Sequence, residues 1–111
     1  MEEEVKRELV HALRHLESGE FGLAEDCYAA ALELAIDDPI GSRILGYLAR
    51  ACAAQGKHKM AIAMYERALA DSDGLDRVSL ELDLVGLYRA VGRDEDADVL
   101  RGEVDAKLMK R

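Results

Sequence analysis

The sequence predicts an all-α protein built of three stacked antiparallel helix pairs. Its main support is a motif of glycine, alanine, tyrosine, alanine and leucine that occurs twice, 37 residues apart and with identical spacing: Gly19-x4-Ala24-x3-Tyr28-x2-Ala31-Leu32 and Gly56-x4-Ala61-x3-Tyr65-x2-Ala68-Leu69. A period between about 20 and 50 residues is typical of stacked supersecondary units. No segment shows sustained alternation of apolar and polar residues, so we expect no β-sheet.

A third, degraded copy of the motif follows 36 residues after the second. Gly92 and Ala97 are in place, but Arg101, Val104 and Asp105 stand where the other copies have tyrosine, alanine and leucine. Charged side chains there suit a surface that faces water. We therefore interpret the third copy as an end cap of the stack.

The first helix of each pair precedes the motif glycine. Three apolar residues that share a helical face lie eight, seven and four positions before the second and third glycines: Leu48, Ala49 and Cys52, then Leu84, Val85 and Tyr88. The first copy is less regular, because histidines occupy two of these positions and its strongest apolar residues follow an adjacent stripe, Leu9, Leu13 and Leu16.

The second helix of each pair carries the small residues of the motif. Alanines let two helices approach closely, and Tyr28 and Tyr65 fill the wider gap one turn away. In the last helix we expect an inner face of Val99, Leu100, Val104 and Leu108.

The motif glycines suit the tight turn within a pair, where positive φ favours glycine. Six helices are predicted, at about 3–17, 21–36, 41–54, 58–70, 75–91 and 94–109.

Length and composition indicate one domain that covers residues 1–111. Hydrophobic residues make up 50% of the chain, there is one proline, and no glycine-serine or proline-rich linker divides it. The start, Met1-Glu2-Glu3-Glu4, lacks the features of a signal peptide, and no apolar run approaches the ~18 residues of a membrane span. We expect a cytoplasmic protein that does not enter a membrane.

Net charge argues against a nucleic-acid partner. The chain has 23 acidic and 15 basic residues, which gives a formal charge of −8, and a polyanion would be repelled. The simplest role of the acidic residues is a solvated outer face that aids solubility.

The motif resembles the tetratricopeptide repeat (TPR). That family has Leu-Gly-x2-Tyr on a first helix, Ala-x3-Phe on a second and a closing proline; the counterparts here are Leu84-Val85-x2-Tyr88, the two Ala-x3-Tyr pairs, and Asp38-Pro39. The resemblance covers nearly the whole chain, as three repeats at about 5–38, 42–75 and 78–109. It implies a right-handed α-solenoid that acts as a non-enzymatic protein–protein interaction module of the adaptor, scaffold or co-chaperone type.

In TPR proteins the first helices line a concave groove. The resemblance places a mixture of apolar and basic residues toward it: Lys6, Leu9, Leu13, Arg43, Tyr47, Arg50, Leu82 and Arg89. This mixture favours an acidic or amphipathic peptide or helix, because arginine grips carboxylates bidentately. The alternative is that several of these residues only pack or face solvent.

One function of the family is disfavoured. Chaperone-binding members hold a terminal carboxylate with lysine, asparagine and arginine, and the corresponding residues here are Leu9, Leu13, Tyr47, Ser79 and Asp83. None matches, and the chain has no asparagine. We do not expect binding to the acidic tails of those chaperones.

Catalytic motifs are absent from the sequence. There is no Gly-x4-Gly-Lys-Ser/Thr phosphate loop and no Gly-x-Ser-x-Gly elbow; serine occurs only at positions 18, 42, 72 and 79, and threonine not at all. We expect no enzyme activity and no cofactor.

Metal and thiol chemistry have weak support. His11 and His15 could present two nitrogens to one metal, but a structural or catalytic site needs three or four ligands. Cys27 and Cys52 are too far apart for a Cys-x2-Cys motif, and Cys52 suits a small buried apolar position. No metal site is predicted. A metal- or thiol-dependent regulator that uses these residues is the third hypothesis for function.

Self-association is the second hypothesis. The end repeats of a solenoid expose helical faces, and the leucines of the first helix could exceed what internal packing buries. The charged last helix favours a monomer, while a homodimer through the first helix pair or the groove stays open.

Overall fold

The computed structural model describes residues 2–72 and 74–110. These residues form six α-helices and no strand: α1 (Glu2–Glu17), α2 (Phe21–Leu34), α3 (Gly41–Ala54), α4 (His58–Ala70), α5 (Gly74–Ala90) and α6 (Asp94–Met109). The all-α prediction is confirmed, and every predicted helix end is within two residues of the observed one. The predicted domain also includes Met1, Asp73 and Arg111, which lie outside the described residues.

The helices pack in chain order. Each odd-numbered helix packs on the even-numbered helix that follows it, and α2 on α3 and α4 on α5 join the pairs into one stack. Three-residue connections within each pair require antiparallel neighbours. None of the described helices is both long enough and apolar enough to cross a bilayer.

Glycine ends the first helix of every pair. Gly19, Gly56 and Gly92 have φ of 75°, 81° and 81°, as predicted. The residue after each glycine donates its backbone N–H to a carbonyl five residues earlier, as in the 2.8 Å bond from Glu20 N to His15 O. This is the Schellman arrangement, which satisfies free carbonyls at a helix end. It turns the chain back so that the second helix packs on the first.

The core is built from the motif residues. Ala24, Ala31, Ala61 and Ala68 are completely buried, and Tyr28 and Tyr65 are 4% and 2% exposed. Cys52 is also completely buried, as predicted.

The expectation for the last helix was wrong at two residues. Val104 is completely buried, but Val99 is 64% exposed and Leu108 45% exposed. Because α6 packs mainly on α5, only a narrow stripe of its surface is covered.

A buried carboxylate ties α6 to α5. The side chain of Glu81 is 2% exposed, and Lys107 Nζ contacts its two oxygens at 2.9 and 3.0 Å. Arg77 Nε lies 3.8 Å from the same carboxylate. A buried charge is tolerated only when it is paired, so the end of α6 is held to α5 by an ionic contact.

Gly46 and Gly86 offer a matched test of helix packing. A Cβ on Gly46 would lie 2.7 Å from Leu80 Cδ2, whereas one on Gly86 would meet nothing within 4 Å. Gly86→Ala should stabilise the fold by about 0.5–1 kcal/mol through helix propensity. Gly46→Ala should be about 1–2 kcal/mol less favourable to the free energy of folding than Gly86→Ala, because the Leu80 side chain must move out of a packed position. Urea unfolding measures both, and equal effects would contradict the close approach.

Lys107→Met should destabilise the fold by about 1–3 kcal/mol, because it leaves the buried Glu81 carboxylate with only Arg77 nearby. The control is Arg101→Met, which removes the exposed Arg101–Asp105 pair and should cost under about 0.5 kcal/mol. Adding Glu81→Gln to Lys107→Met should recover part of the loss in the free energy of unfolding. A loss no larger than that of the control would show that the contact does not hold α6.

Candidate binding groove

Two neighbouring pockets open along the first helices α1, α3 and α5. The first, which we call the apolar pocket, has a volume of about 270 Å³ and is lined by Leu9, Leu13, Leu16, Tyr28, Tyr47 and Arg50. The second, which we call the polar pocket, is lined by Arg43, Gly46, Tyr47, Arg50, Ser72, Asp76, Ser79 and Leu80. Tyr47 and Arg50 belong to both, so together the pockets form one candidate groove.

Aromatic stacking shapes the apolar pocket. The rings of Tyr28 and Tyr47 stack with centroids 5.7 Å apart and an interplanar angle of 30°. Tyr28 is buried and forms the floor, while Tyr47 is 42% exposed and Leu13 is 51% exposed. The guanidinium carbon of Arg50 lies 6.0 Å from the centre of the Tyr47 ring. The pocket therefore has a buried aromatic floor and an exposed apolar rim.

Two ion pairs stand beside the polar pocket. Arg43 contacts Asp76 at 3.0 Å, and Arg50 Nε donates to Asp83 Oδ2 at 2.9 Å. Arg50 also donates to Ser79 Oγ at 3.4 Å. Both acids lie on α5, so in these ion pairs α3 supplies the cations and α5 supplies the anions.

Asp83 has a second partner from the core. The hydroxyl of Tyr65 donates to Asp83 Oδ2 at 3.2 Å. Burial, with a further contribution from the nearby Asp83 charge, raises the pKa of Tyr65 well above its ordinary value. The phenol therefore stays protonated and keeps donating, which fixes the carboxylate beside Arg50.

The structure brings together five of the eight residues predicted for the groove: Leu9, Leu13, Arg43, Tyr47 and Arg50. The other three lie outside both pockets. Lys6 is exposed and 3.9 Å from Glu3, Leu82 is 39% exposed, and Arg89 contacts Asp98 of α6 at 3.0 Å.

Sequence reasoning missed several residues that line the pockets. Tyr28 was assigned to packing, Leu16 was assigned to the apolar stripe of the first helix and not to the groove, and Asp76 was not assigned to the groove. The signal for the ion pairs was present in the sequence, since Arg43–Asp76 and Arg50–Asp83 share a separation of 33 residues. The arginines were expected to grip carboxylates of a partner, but Asp76 and Asp83 already pair with Arg43 and Arg50.

The histidines and cysteines lie apart from the groove pockets. His15 Nδ1 is 3.1 Å from Glu20, and His11 Nδ1 is 3.9 Å from Glu8. Within residues 2–72 and 74–110, no group of three histidine, cysteine or acidic side chains could hold a metal ion. Both cysteines are free, and burial is the main cause that raises the pKa of each thiol. Without a metal, both are therefore neutral thiols at pH 7.

Three stacked helix pairs with a groove along their first helices define an α-helical repeat protein. The tetratricopeptide repeat family model matches residues 8–74, more than half of the chain. The chain therefore belongs to the tetratricopeptide repeat family.

A solved structure shows the same fold across nearly the full chain. It is the crystal structure of the TPR domain of Arabidopsis FLU, with a TM-score of 0.87 and 23% sequence identity. The match covers 99% of this chain and 98% of that one. No curated protein sequence matches the chain. Family and fold support a general role as a protein–protein interaction module, and such modules are typically not enzymes.

Proposed function

We propose that the protein is a non-enzymatic adaptor or scaffold that binds a peptide or helix of a partner protein in its groove. The observation that carries this proposal is the apolar pocket, where exposed Leu13 and Tyr47 stand over the buried ring of Tyr28. We propose that one apolar side chain of the partner enters this pocket. Burial of a leucine-sized side chain contributes about 1.5–3 kcal/mol, which is enough for a main anchor.

The paired charges at the polar pocket indicate what charge the partner segment should carry. Arg43 and Arg50 are matched by Asp76 and Asp83, so these four side chains carry no net charge. The whole chain carries −8, and this field disfavours a strongly acidic partner. We therefore propose an amphipathic segment with an apolar anchor, whose polar groups contact the rim of the polar pocket.

A cytoplasmic location is part of the proposal. The two cysteines, Cys27 and Cys52, are both free, and unpaired cysteines are typical of a reducing compartment.

Leu13 and Leu108 allow a matched test of groove binding, since they are 51% and 45% exposed and only Leu13 lines the pocket. Peptides selected from a display library on the unmodified protein should bind Leu13→Asn at least about tenfold more weakly, a loss of ~1.4 kcal/mol. Leu108→Asn should bind them with unchanged Kd. Fluorescence anisotropy measures both, and circular dichroism checks folding. Peptides that bind both variants equally well would place the binding surface elsewhere.

Self-association through the groove is the second candidate function. It is favoured by Leu13 of α1, which lines the apolar pocket and is 51% exposed. We expect a monomer, and analytical ultracentrifugation should find a 12.2 kDa species at all concentrations. A dimer of the unmodified protein that becomes a monomer in Leu13→Asn, but not in Leu108→Asn, would instead assign the groove to a second copy of this chain.

A further inference from the structure

Three sulfur atoms converge between α3 and α4, away from the groove pockets. Cys52 Sγ lies 3.8 Å from Met60 Sδ and 4.0 Å from Met64 Sδ. The chain has two cysteines and four methionines, so half of its sulfur atoms meet at this one place. We call these three residues the sulfur cluster.

Helix geometry creates the sulfur cluster. Met60 and Met64 are one turn apart on α4, so their side chains share a face, and this face meets Cys52 on α3. Cys52 is completely buried, whereas Met60 is 48% exposed. The cluster therefore extends from the core to the surface of the protein.

The donor set determines which ion suits it. A thiolate and two thioethers are soft ligands, and such ligands select Cu(I) over the hard cations that prefer oxygen. Zinc prefers additional cysteine or histidine ligands, and the part of the chain that the structure describes offers no group of three histidine, cysteine or acidic side chains.

We propose that Cys52, Met60 and Met64 bind one Cu(I) ion in a trigonal site with three sulfur ligands. Three sulfurs that each lie about 2.3 Å from a common metal stand about 4 Å apart, which matches the two distances from Cys52. Two edges of the sulfur triangle, those from Cys52 to Met60 and to Met64, therefore already have the length that the site needs.

Charge balance fits a partly buried position. When the Cu–S bond to Cys52 forms, the thiol proton leaves to solvent, and thiolate plus Cu(I) carry no net charge. The thioethers are neutral, so the complex adds no uncompensated charge to the interior. No oxidation or reduction is involved, because copper enters and stays as Cu(I).

The test is an anaerobic titration of the reduced protein with Cu(I) in competition with bicinchoninate. The unmodified chain should bind one Cu(I) per molecule. Cys52→Ser, Met60→Leu and Met64→Leu should each lower the affinity by about tenfold or more, because each removes one of three ligands. The matched controls are Cys27→Ser and Met109→Leu, which remove sulfur atoms outside the cluster and should leave the affinity unchanged.

X-ray absorption provides a second measurement on the copper-loaded protein. It should show three sulfur neighbours at about 2.3 Å and no nitrogen or oxygen ligand. If Cys52→Ser does not fold, the methionine variants decide the matter, since leucine conserves volume. Unchanged affinity in Met60→Leu and Met64→Leu, or an equal loss in Cys27→Ser, would overturn the proposal and leave the cluster as core packing.

Discussion

The stack depends on the contact between the tyrosine of each second helix and the first helix of the following pair. Tyr28 of α2 reaches Tyr47 of α3, and Tyr65 of α4 reaches Asp83 of α5. These contacts occupy equivalent places in the repeat but differ in chemistry: the first is an aromatic stack and the second a hydrogen bond. The ring face of Tyr28 joins the first two helix pairs, and the hydroxyl of Tyr65 joins the second and third. The two ends of the groove differ in polarity for the same reason. The end of the groove between α1 and α3 is apolar, because Tyr47 stacks on Tyr28 there. The end between α3 and α5 is polar, because Asp83 pairs with Arg50.

The third copy of the motif differs from the others on the face that would meet a further helix pair. Three residues of α4 that face the next pair are buried: Ile62, Tyr65 and Leu69. Their counterparts 36 residues later in α6 are all charged: Asp98, Arg101 and Asp105. Arg101 pairs with Asp105, and Asp98 pairs with Arg89. This outer face can remain in water, which supports the interpretation of the third copy as an end cap.

The sequence was sufficient for the fold and for part of the groove. Helix ends follow local signals, such as the positive φ of Gly56, and they could be predicted to within two residues. The pairing of Arg50 with Asp83 depends on the register of α3 against α5, which no local pattern reports. Val99 was assigned to a core face because apolar spacing shows which residues can be buried but not how much neighbouring surface covers them.

Arg50 links the two halves of the groove. It lines both pockets, pairs with Asp83 and stands near the Tyr47 ring. The exposed Arg50–Asp83 pair is worth only ~0–1 kcal/mol, so a carboxylate of a ligand can replace Asp83 at small cost. Asp83 would then keep the hydroxyl of Tyr65 as its partner. The gain from such an exchange is also small, since one carboxylate replaces another. An apolar anchor therefore supplies most of the affinity, and the charged pairs determine which polar groups are accepted beside it.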